Sequence, residues 1–215
     1  DIVCSCPTCG FMLRNILKEG AYYSAAYQDS ISEDEDYLKI PVDEATHNPE
    51  TKKFKFIKKS IYGNLFKDDG YFSSVDPLKR ITVAENTYDL GEYLVNLNRS
   101  GKHRMSSARV PGRLVYYPPC HLREQNIGRP YLDLLKLIPE ISLEPIDDVM
   151  DCCGMAGIMG FKKEFHESSL HLGKRLVEKI KQVHPERLVT DCLSCRLQFN
   201  QLLPYPVSHP IEVLK

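Results

Sequence analysis

The eight cysteines of this chain fall into two groups, separated by a long stretch that contains none. Cys4, Cys6 and Cys9 lie at the start, and the other five lie between residues 120 and 195. A secreted disulfide scaffold spreads its cysteines along a short chain and usually follows a signal sequence. Here the cysteines form CxxC and CC pairs and no secretory signal is recognisable, so we expect metal binding in a reducing compartment.

Charge and hydropathy argue against several other classes of function. The formal net charge is −1, so no overall field draws the protein onto nucleic acid, and we expect no nucleic-acid partner. The sequence has no run of 18 or more apolar residues, so we expect no membrane-spanning segment. The chain begins at Asp1 and reaches its first cysteine at once, and we therefore expect a piece of a longer protein.

The second half of the chain alternates predicted strands with predicted helices. Short apolar runs indicate the strands, and apolar residues at helical spacing indicate the helices. This alternation predicts an α/β fold, with a Rossmann-like parallel or mixed sheet and flanking helices. The predicted strands are residues 114–117, 143–149 and 187–190, and the predicted helices are residues 129–138, 165–183 and 196–203.

The first half carries a weak repeat of the second. Residues 1–9 align with residues 187–195, and each segment is predicted to form a strand, a CxxC turn and the start of a helix. We therefore expect two domains: residues 1–108, the tail of a first unit with an atypical insertion, and residues 109–215, a complete unit. Within the first domain we predict helices at 10–18 and 86–97, and strands at 1–3 and 52–59.

Cysteines follow each predicted strand of the second half. Cys120 follows the first strand, Cys152 and Cys153 follow the second, and Cys192 follows the third, with Cys195 completing a CxxC pair. Ligands of such sheets bind outside the carboxyl ends of the strands. If the strands are parallel, all five thiols arrive at the same edge of the sheet.

The ligand set favours an iron–sulfur cluster and leaves zinc open. Thiolates are soft ligands that suit both. The side chains of the adjacent pair Cys152-Cys153 diverge, and five thiolates exceed the four that a zinc site uses. Gly154 directly follows the pair, and glycine permits a positive φ and free amides that can bond to sulfide.

These residues resemble the cysteine-rich CCG domain family. Its pattern is a cysteine, a long gap, Cys-Cys-Gly, a second long gap and Cys-x-x-Cys, matched here by Cys120, Cys152-Cys153-Gly154 and Cys192-Leu-Ser-Cys195. The domain occurs in the B subunit of heterodisulfide reductase and in the C subunit of anaerobic glycerol-3-phosphate dehydrogenase. Residues 152–164, with the segments 117–121 and 189–192, are most similar to the glycerol-3-phosphate dehydrogenase group.

The resemblance implies a [4Fe–4S] cluster of the non-cubane type, held by Cys120, Cys152, Cys153, Cys192 and Cys195. Some members of the family hold zinc in one unit instead. The resemblance also implies that Cys6 and Cys9 are the closing pair of another unit, with Cys4 as an extra ligand. These three cysteines form a weaker second candidate site.

The implied function is an electron-transfer subunit of an oxidoreductase complex. It would relay electrons from a flavoprotein dehydrogenase, or other redox subunits, toward a membrane quinone or another carrier. Its expected location is the cytoplasm, either free or peripheral at the cytoplasmic membrane. Two alternatives stay open: a heterodisulfide or thiol reductase whose cluster cleaves the disulfide, and a zinc-binding structural module.

His121 is the candidate catalytic residue, because it adjoins Cys120. It could donate a hydrogen bond to sulfide or carry a proton during disulfide reduction. The alternative is a helix-capping or surface histidine.

Overall fold

The computed structural model describes residues 1–31, 34–42, 52–62, 65–102, 110–146 and 148–214. The chain divides into two compact units. The first comprises Asp1–Cys4 and Cys9–Tyr88, and the second comprises Ser5–Thr8 and Asp89–Lys215. The predicted domain boundary at 108–109 falls outside the described residues, so that division stays a prediction.

The first unit contains short helices and two pairs of strands. Strands β2 and β3 are antiparallel, and an aromatic and aliphatic core that includes Tyr22 and Leu38 packs beneath them. Arg80 is buried, forms an ion pair with Asp68 and donates to backbone carbonyls. In chain order, the elements are β1 (Ile2–Cys4), α1 (Pro7–Phe11), a π-helical turn (Met12–Ile16), a 3-10 turn (Ala21–Tyr23), α2 (Ala25–Ile31), β2 (Tyr37–Pro41), β3 (Phe54–Lys58), α3 (Lys59–Tyr62), α4 (Pro77–Glu85) and β4 (Thr87–Asp89), which pairs with β1.

The second unit is built on a parallel sheet with flanking helices, which confirms the predicted α/β class. Its strands lie in the order β6-β5-β7-β8, and each neighbouring pair is parallel. The elements are α5 (Leu90–Arg99), β5 (Arg113–Tyr116), α6 (Cys120–Arg123), α7 (Pro130–Leu135), β6 (Ser142–Pro145), α8 (His166–Val183), β7 (Arg187–Val189), α9 (Leu193–Leu202) and β8 (Val207–Ser208). Whether the topology is Rossmann-like in detail stays a prediction.

Alternating residues of β5 point into different cores. Leu114 and Tyr116 pack with the helices α5 and α7, whereas Val115 and Tyr117 pack with α8 and α9. This alternation is the normal two-residue period of a strand, and it places helices on both faces of the sheet. Cys153, Cys192 and Cys195 belong to the α8–α9 core, so their thiols are buried in apolar surroundings.

Several predicted elements have different bounds in the structure, among them the helix predicted at 10–18, which is α1 followed by a π-helical turn. The helix predicted at 86–97 begins at Leu90, because Asp89 caps it in a capping box with Glu92 and the preceding residues form β4. The strand predicted at 143–149 ends at Pro145, which has no N–H to donate to a neighbouring strand. The last helix starts at Leu193 rather than 196, which places Cys195 in its first turn.

No helix in the described part of the chain is long and apolar enough to cross a membrane.

Candidate metal centre

The cysteines of the second unit lie where its parallel strands end. Cys120 opens α6, four residues after the end of β5, and Cys192 is the N-cap of α9, three residues after the end of β7. Cys152 and Cys153 lie in the loop that joins β6 to α8. The parallel pairing of β5 with β6 and with β7 directs these three connections toward the same edge of the sheet.

Four of the five sulfurs form a continuous set of hydrogen-bonding contacts, and the fifth, Cys120, lies near them. Cys195 donates a hydrogen bond to Cys153, with the two Sγ atoms 3.0 Å apart. Cys152 is also within hydrogen-bonding reach of Cys153, and Cys195 is within hydrogen-bonding reach of Cys192. Cys120 is close enough for the charges of Cys153 and Cys192 to act on it. The structure therefore brings together all five thiols that the sequence singled out.

Hydrogen bonding shifts the pKa values of these thiols in opposite directions. Hydrogen bonding with Cys152 and Cys195 lowers the pKa of Cys153, and hydrogen bonding with Cys195 and Cys6 lowers the pKa of Cys192. Hydrogen bonding with a neighbouring sulfur raises the pKa of Cys152 and of Cys195. Burial raises the pKa of Cys120. Thiolates are the form in which cysteine binds metals.

The donor set fits a soft group with several metal positions. Five thiols are more ligands than a single tetrahedral ion accepts. Among the described residues, no group of three or more His, Cys, Asp and Glu side chains is arranged around one metal-ion position. The role of each cysteine as a ligand stays a prediction.

Gly154 has the conformation that the tight turn after the cysteine pair requires. Its φ is +93°, and a Cβ at this position would lie 2.1 Å from the carbonyl oxygen of Ser169. Its N–H donates to the Sγ of Cys152 at 3.3 Å. A Cβ on Gly173 would likewise lie 2.6 Å from the carbonyl oxygen of Cys153. Helix α8 therefore packs backbone against backbone on the Cys-Cys-Gly turn.

A buried aspartate anchors the same turn. The carboxylate of Asp151 has no exposed surface and pairs with Lys179 at 2.7 Å and with Arg175 Nε at 3.4 Å. Its carbonyl oxygen accepts hydrogen bonds from the Tyr117 hydroxyl at 3.1 Å and from Arg123 at 2.9 Å. Both the side chain and the backbone directly before Cys152 are therefore fixed.

Comparison with known protein families agrees with this geometry. Residues 114–200 match the family model described as the CCG cysteine-rich domain. This matched region, called the CCG domain below, is similar to that family. The match spans Cys120, the Cys152-Cys153-Gly154 turn, Cys192 and Cys195, which confirms the resemblance seen in the sequence.

Relatives of the CCG domain include subunits of redox enzymes. The C subunit of anaerobic glycerol-3-phosphate dehydrogenase from Escherichia coli (strain K12) is 35% identical over 105 residues, covering 49% of this chain and 26% of that protein. Lactate utilization protein A from Geobacillus sp. (strain WCH70) is 26% identical over 159 residues, covering 71% of this chain and 63% of that protein. The B subunit of fumarate reductase (CoM/CoB) from Methanothermobacter marburgensis is 29% identical over 125 residues, covering 58% of this chain and 24% of that protein.

The chain thus spans less than two thirds of the length of each of these relatives. No solved structure matches it.

Residues from the start of the chain also reach the CCG domain. The hydroxyl of Thr8 is hydrogen-bonded to His121 Nδ1 at 2.9 Å and lies 3.8 Å from the Sγ of Cys192. The Cys6 thiol donates to the sulfur of Cys192, and this bond, followed by burial, raises the pKa of Cys6. The structure therefore places Cys6 in the second unit, whereas Cys4, which is buried, and Cys9, which is exposed, belong to the first.

Sequence reasoning missed the residues that support the CCG domain from outside the cysteine motif. Asp151, Arg123 and Lys179 were not predicted to act here, and neither was Thr8. The sequence carries a signal for Asp151, which directly precedes the Cys152-Cys153 pair. A carboxylate that is buried at such a position requires cationic partners. The partners themselves come from distant helices, and no local pattern marks them.

Proposed function

We propose that this chain binds an iron–sulfur cluster through Cys120, Cys152, Cys153, Cys192 and Cys195, as an electron-transfer subunit of an oxidoreductase complex. The proposal is supported by the hydrogen-bonding contacts among Cys152, Cys153, Cys192 and Cys195, with Cys120 nearby. The complex would pass electrons from a flavoprotein dehydrogenase, or another redox subunit, toward a quinone or another carrier.

The chemistry of the site suits such a cluster. A bound cluster accepts and releases single electrons at a potential that its ligands, hydrogen bonds and exposure determine. The chain would supply the five cysteines as thiolates, a backbone N–H at Gly154 and a buried apolar wall formed by α8 and α9. We propose a [4Fe–4S] cluster of the non-cubane type, on the resemblance of the ligand set to that of the CCG family.

Two relatives support a role within a complex, since their names describe subunits of a dehydrogenase and of a fumarate reductase. The surface near Cys152 supports it as well. Ile158 and Phe161, in the loop after the Cys-Cys-Gly turn, are 69% and 58% exposed. Lys162 and Lys163 follow them in the chain and are also exposed. Exposed apolar residues with adjacent charges are typical of protein-binding surfaces.

Cys120 and Cys152 are only partly buried, so a cluster bound there would lie near the protein surface. Transfer of electrons to a partner protein requires such proximity. We propose that the chain works in the cytoplasm, either free or held at the cytoplasmic membrane through a partner.

Anaerobic purification followed by metal and sulfide analysis tests the proposal. We expect a brown protein with about four iron and four sulfide per chain, the content of one [4Fe–4S] cluster. Dithionite reduction followed by EPR would then show a paramagnetic state. A colourless protein with about one zinc per chain would contradict the proposal and favour a structural zinc module.

A thiol or disulfide reductase is the second candidate. The hydrogen bond between Thr8 and His121, beside the sulfur of Cys192, favours it because it places a proton-carrying group next to a ligand sulfur. Addition of a thiol to the oxidised, iron-loaded protein would then produce a new paramagnetic signal. An EPR spectrum that does not respond to thiol would leave electron transfer as the function.

A further inference from the structure

The side chain of Arg123 joins two of the connections that carry the cysteines. Arg123 is the last residue of α6 and follows Cys120 by three positions, so the two side chains are neighbours on one face of that helix. Its guanidinium donates a hydrogen bond to the carbonyl oxygen of Asp151 at 2.9 Å. Because Asp151 directly precedes Cys152, this bond ties the helix of Cys120 to the Cys-Cys-Gly turn.

The other contacts of this guanidinium are uncharged as well. Its second terminal nitrogen donates to the carbonyl oxygens of Pro118 and Asp148, each at 3.4 Å, and its carbon lies 5.9 Å from the centre of the Tyr117 ring. Within the described ranges of the chain, no carboxylate forms an ion pair with Arg123. Arginine stays charged at ordinary pH, so this positive charge is held by carbonyl groups and is not neutralised by an anion.

The described charged side chains that are bonded together around Asp151 have one positive charge in excess. The two anions of this group, Asp148 and Asp151, share the two cations Arg175 and Lys179 in ion pairs. Arg123 is the third cation, and it contacts the same two aspartates only through their backbone carbonyls. The excess charge is therefore located at Arg123, beside the residue that precedes Cys152.

A positive charge at this place acts on the electron balance of the cysteine site. Thiolates are anionic, and reduction of a group held by them adds a further negative charge. A nearby cation stabilises the more negative state, so it makes reduction easier. Cys153 is 4% exposed and Arg123 is half-buried, so water and salt screen this interaction less than they would at an open surface.

We propose that Arg123 is a positioning residue of the metal centre, whose guanidinium fixes the helix of Cys120 to the turn of Cys152 and whose positive charge raises the reduction potential of a bound cluster. The inference rests on the proposed function, because it requires a cluster at this site. Arg123 binds no metal in this role. Its two contributions are separable, since a lysine keeps the charge but lacks the planar fork that bonds to several carbonyls at once.

Redox titration of the whole iron-loaded chain, monitored by EPR, tests the effect of the charge. Arg123→Gln removes the charge and keeps an amide donor, and we expect its midpoint potential to be lower than that of the wild type. Arg123→Lys should stay close to the wild type. Urea unfolding of the metal-free chain tests the fixing role, and there both variants should be less stable than the wild type because both lose the fork.

Two further variants serve as controls. Arg113→Gln removes one positive charge at the start of β5, the end of the strand away from Cys120, and Arg113 likewise donates to a backbone carbonyl, that of Val183 at 3.0 Å. Its midpoint potential should equal that of the wild type. Asp148→Asn removes a negative charge from the group around Asp151, so it should raise the midpoint potential.

A wild-type midpoint potential in iron-loaded Arg123→Gln would overturn the inference and leave the proposed function intact. An equal fall in Arg123→Lys or in Arg113→Gln would overturn it too, because the charge at this position would then not be the cause. If Arg123→Gln does not retain iron, Asp148→Asn decides, and a potential there that is not raised overturns the inference. A wild-type chain without iron and sulfide would overturn the proposed function, and the inference with it.

Discussion

The wholly buried carboxylate of Asp151 accepts a hydrogen bond from Lys179 on helix α8 at 2.7 Å. Asp151 directly precedes Cys152, so this ion pair fixes one end of the Cys-Cys-Gly turn to the helix behind it. The Tyr117 hydroxyl and Arg123 hold the backbone carbonyl of the same residue. The position of the cysteine pair thus depends on side chains outside the cysteine motif.

Asp151→Asn should destabilise the protein and weaken metal retention. The amide keeps the size of the side chain but loses the charge that pairs with Lys179 and Arg175. A hydrogen bond to a charged group contributes about 2 kcal/mol, and we expect a loss of that order in the free energy of unfolding. Urea unfolding followed by circular dichroism measures it.

Asp148→Asn is the matched control for Asp151→Asn, because Asp148 pairs with the same two cations but lies at the surface. Exposed ion pairs contribute little to stability, so this variant should be close to the wild type. Equal destabilisation by both substitutions would show that burial of Asp151 is not what makes its ion pairs important.

Gly154→Ala should be strongly destabilising. A Cβ at this position would collide with the carbonyl oxygen of Ser169, and the positive φ adds backbone strain. Strain and overpacking together cost roughly 3 kcal/mol or more. We expect a lower midpoint of thermal unfolding and a lower iron content per chain.

Gly157→Ala separates these two causes. Gly157 also has a positive φ, but nothing lies within 4 Å of a Cβ at that position. This variant should lose only the conformational part, about 1 kcal/mol. If both variants lost the same stability, the close approach of Ser169 would not be the reason why Gly154 is a glycine.

The second unit should lose stability as the pH falls below about 6.5. Burial lowers the pKa of His209 from its ordinary value of 6.5, and the charge of Arg196 acts in the same direction, although the Ser5 carbonyl and Glu212 oppose them. The unfolded chain therefore binds a proton before the folded chain does. The stability that His209 contributes is complete above pH 6.5 and declines as the pH falls toward the lowered pKa.

Urea unfolding of the wild type and of His209→Gln at about pH 7.5 and pH 5.5 isolates this contribution. The variant should have a smaller difference between the two pH values, since glutamine does not titrate. His171→Gln, at an exposed position of α8, should keep the wild-type difference. A His209→Gln variant with the full wild-type dependence would contradict the assignment.

Cys153→Ser should sharply reduce the iron and sulfide bound per chain. Cys153 accepts hydrogen bonds from both Cys152 and Cys195, so it lies at the centre of the set of sulfur contacts. Serine is a hard and weakly acidic replacement for a soft thiolate. Cys4→Ser, in the first unit, should leave iron content close to that of the wild type. Negligible loss in both variants would contradict the five-cysteine assignment.

Local patterns predicted an α/β fold with a parallel or mixed sheet, and the structure confirms this class. Short apolar runs followed by cysteines marked β5 and β7, and helical spacing marked α8. The start of α5 could also have been predicted, because Asp89 and Glu92 have the spacing of a capping box, but the predicted helix begins too early, at residue 86. Strand β8 was missed, because two residues show no periodicity.

The attachment of Ser5–Thr8 could not have been predicted in the same way. His209 and Ser5 are 204 residues apart in the chain, and Gln125 and Pro7 are 118 apart. Single hydrogen bonds between distant residues leave no periodic trace in a sequence. The internal repeat did single out Cys6, but as a member, with Cys9, of the closing CxxC pair of another unit. That assignment stays a prediction.

Because Gly154 and Gly173 have no side chains, helix α8 and the cysteine loop are coupled directly through their backbones. At both positions main chain meets main chain, with no flexible side chain between helix α8 and the cysteine loop to absorb a displacement. A displacement of α8 would therefore carry the backbone of Cys153 and Gly154 with it, so the position of the helix sets the position of the cysteine pair.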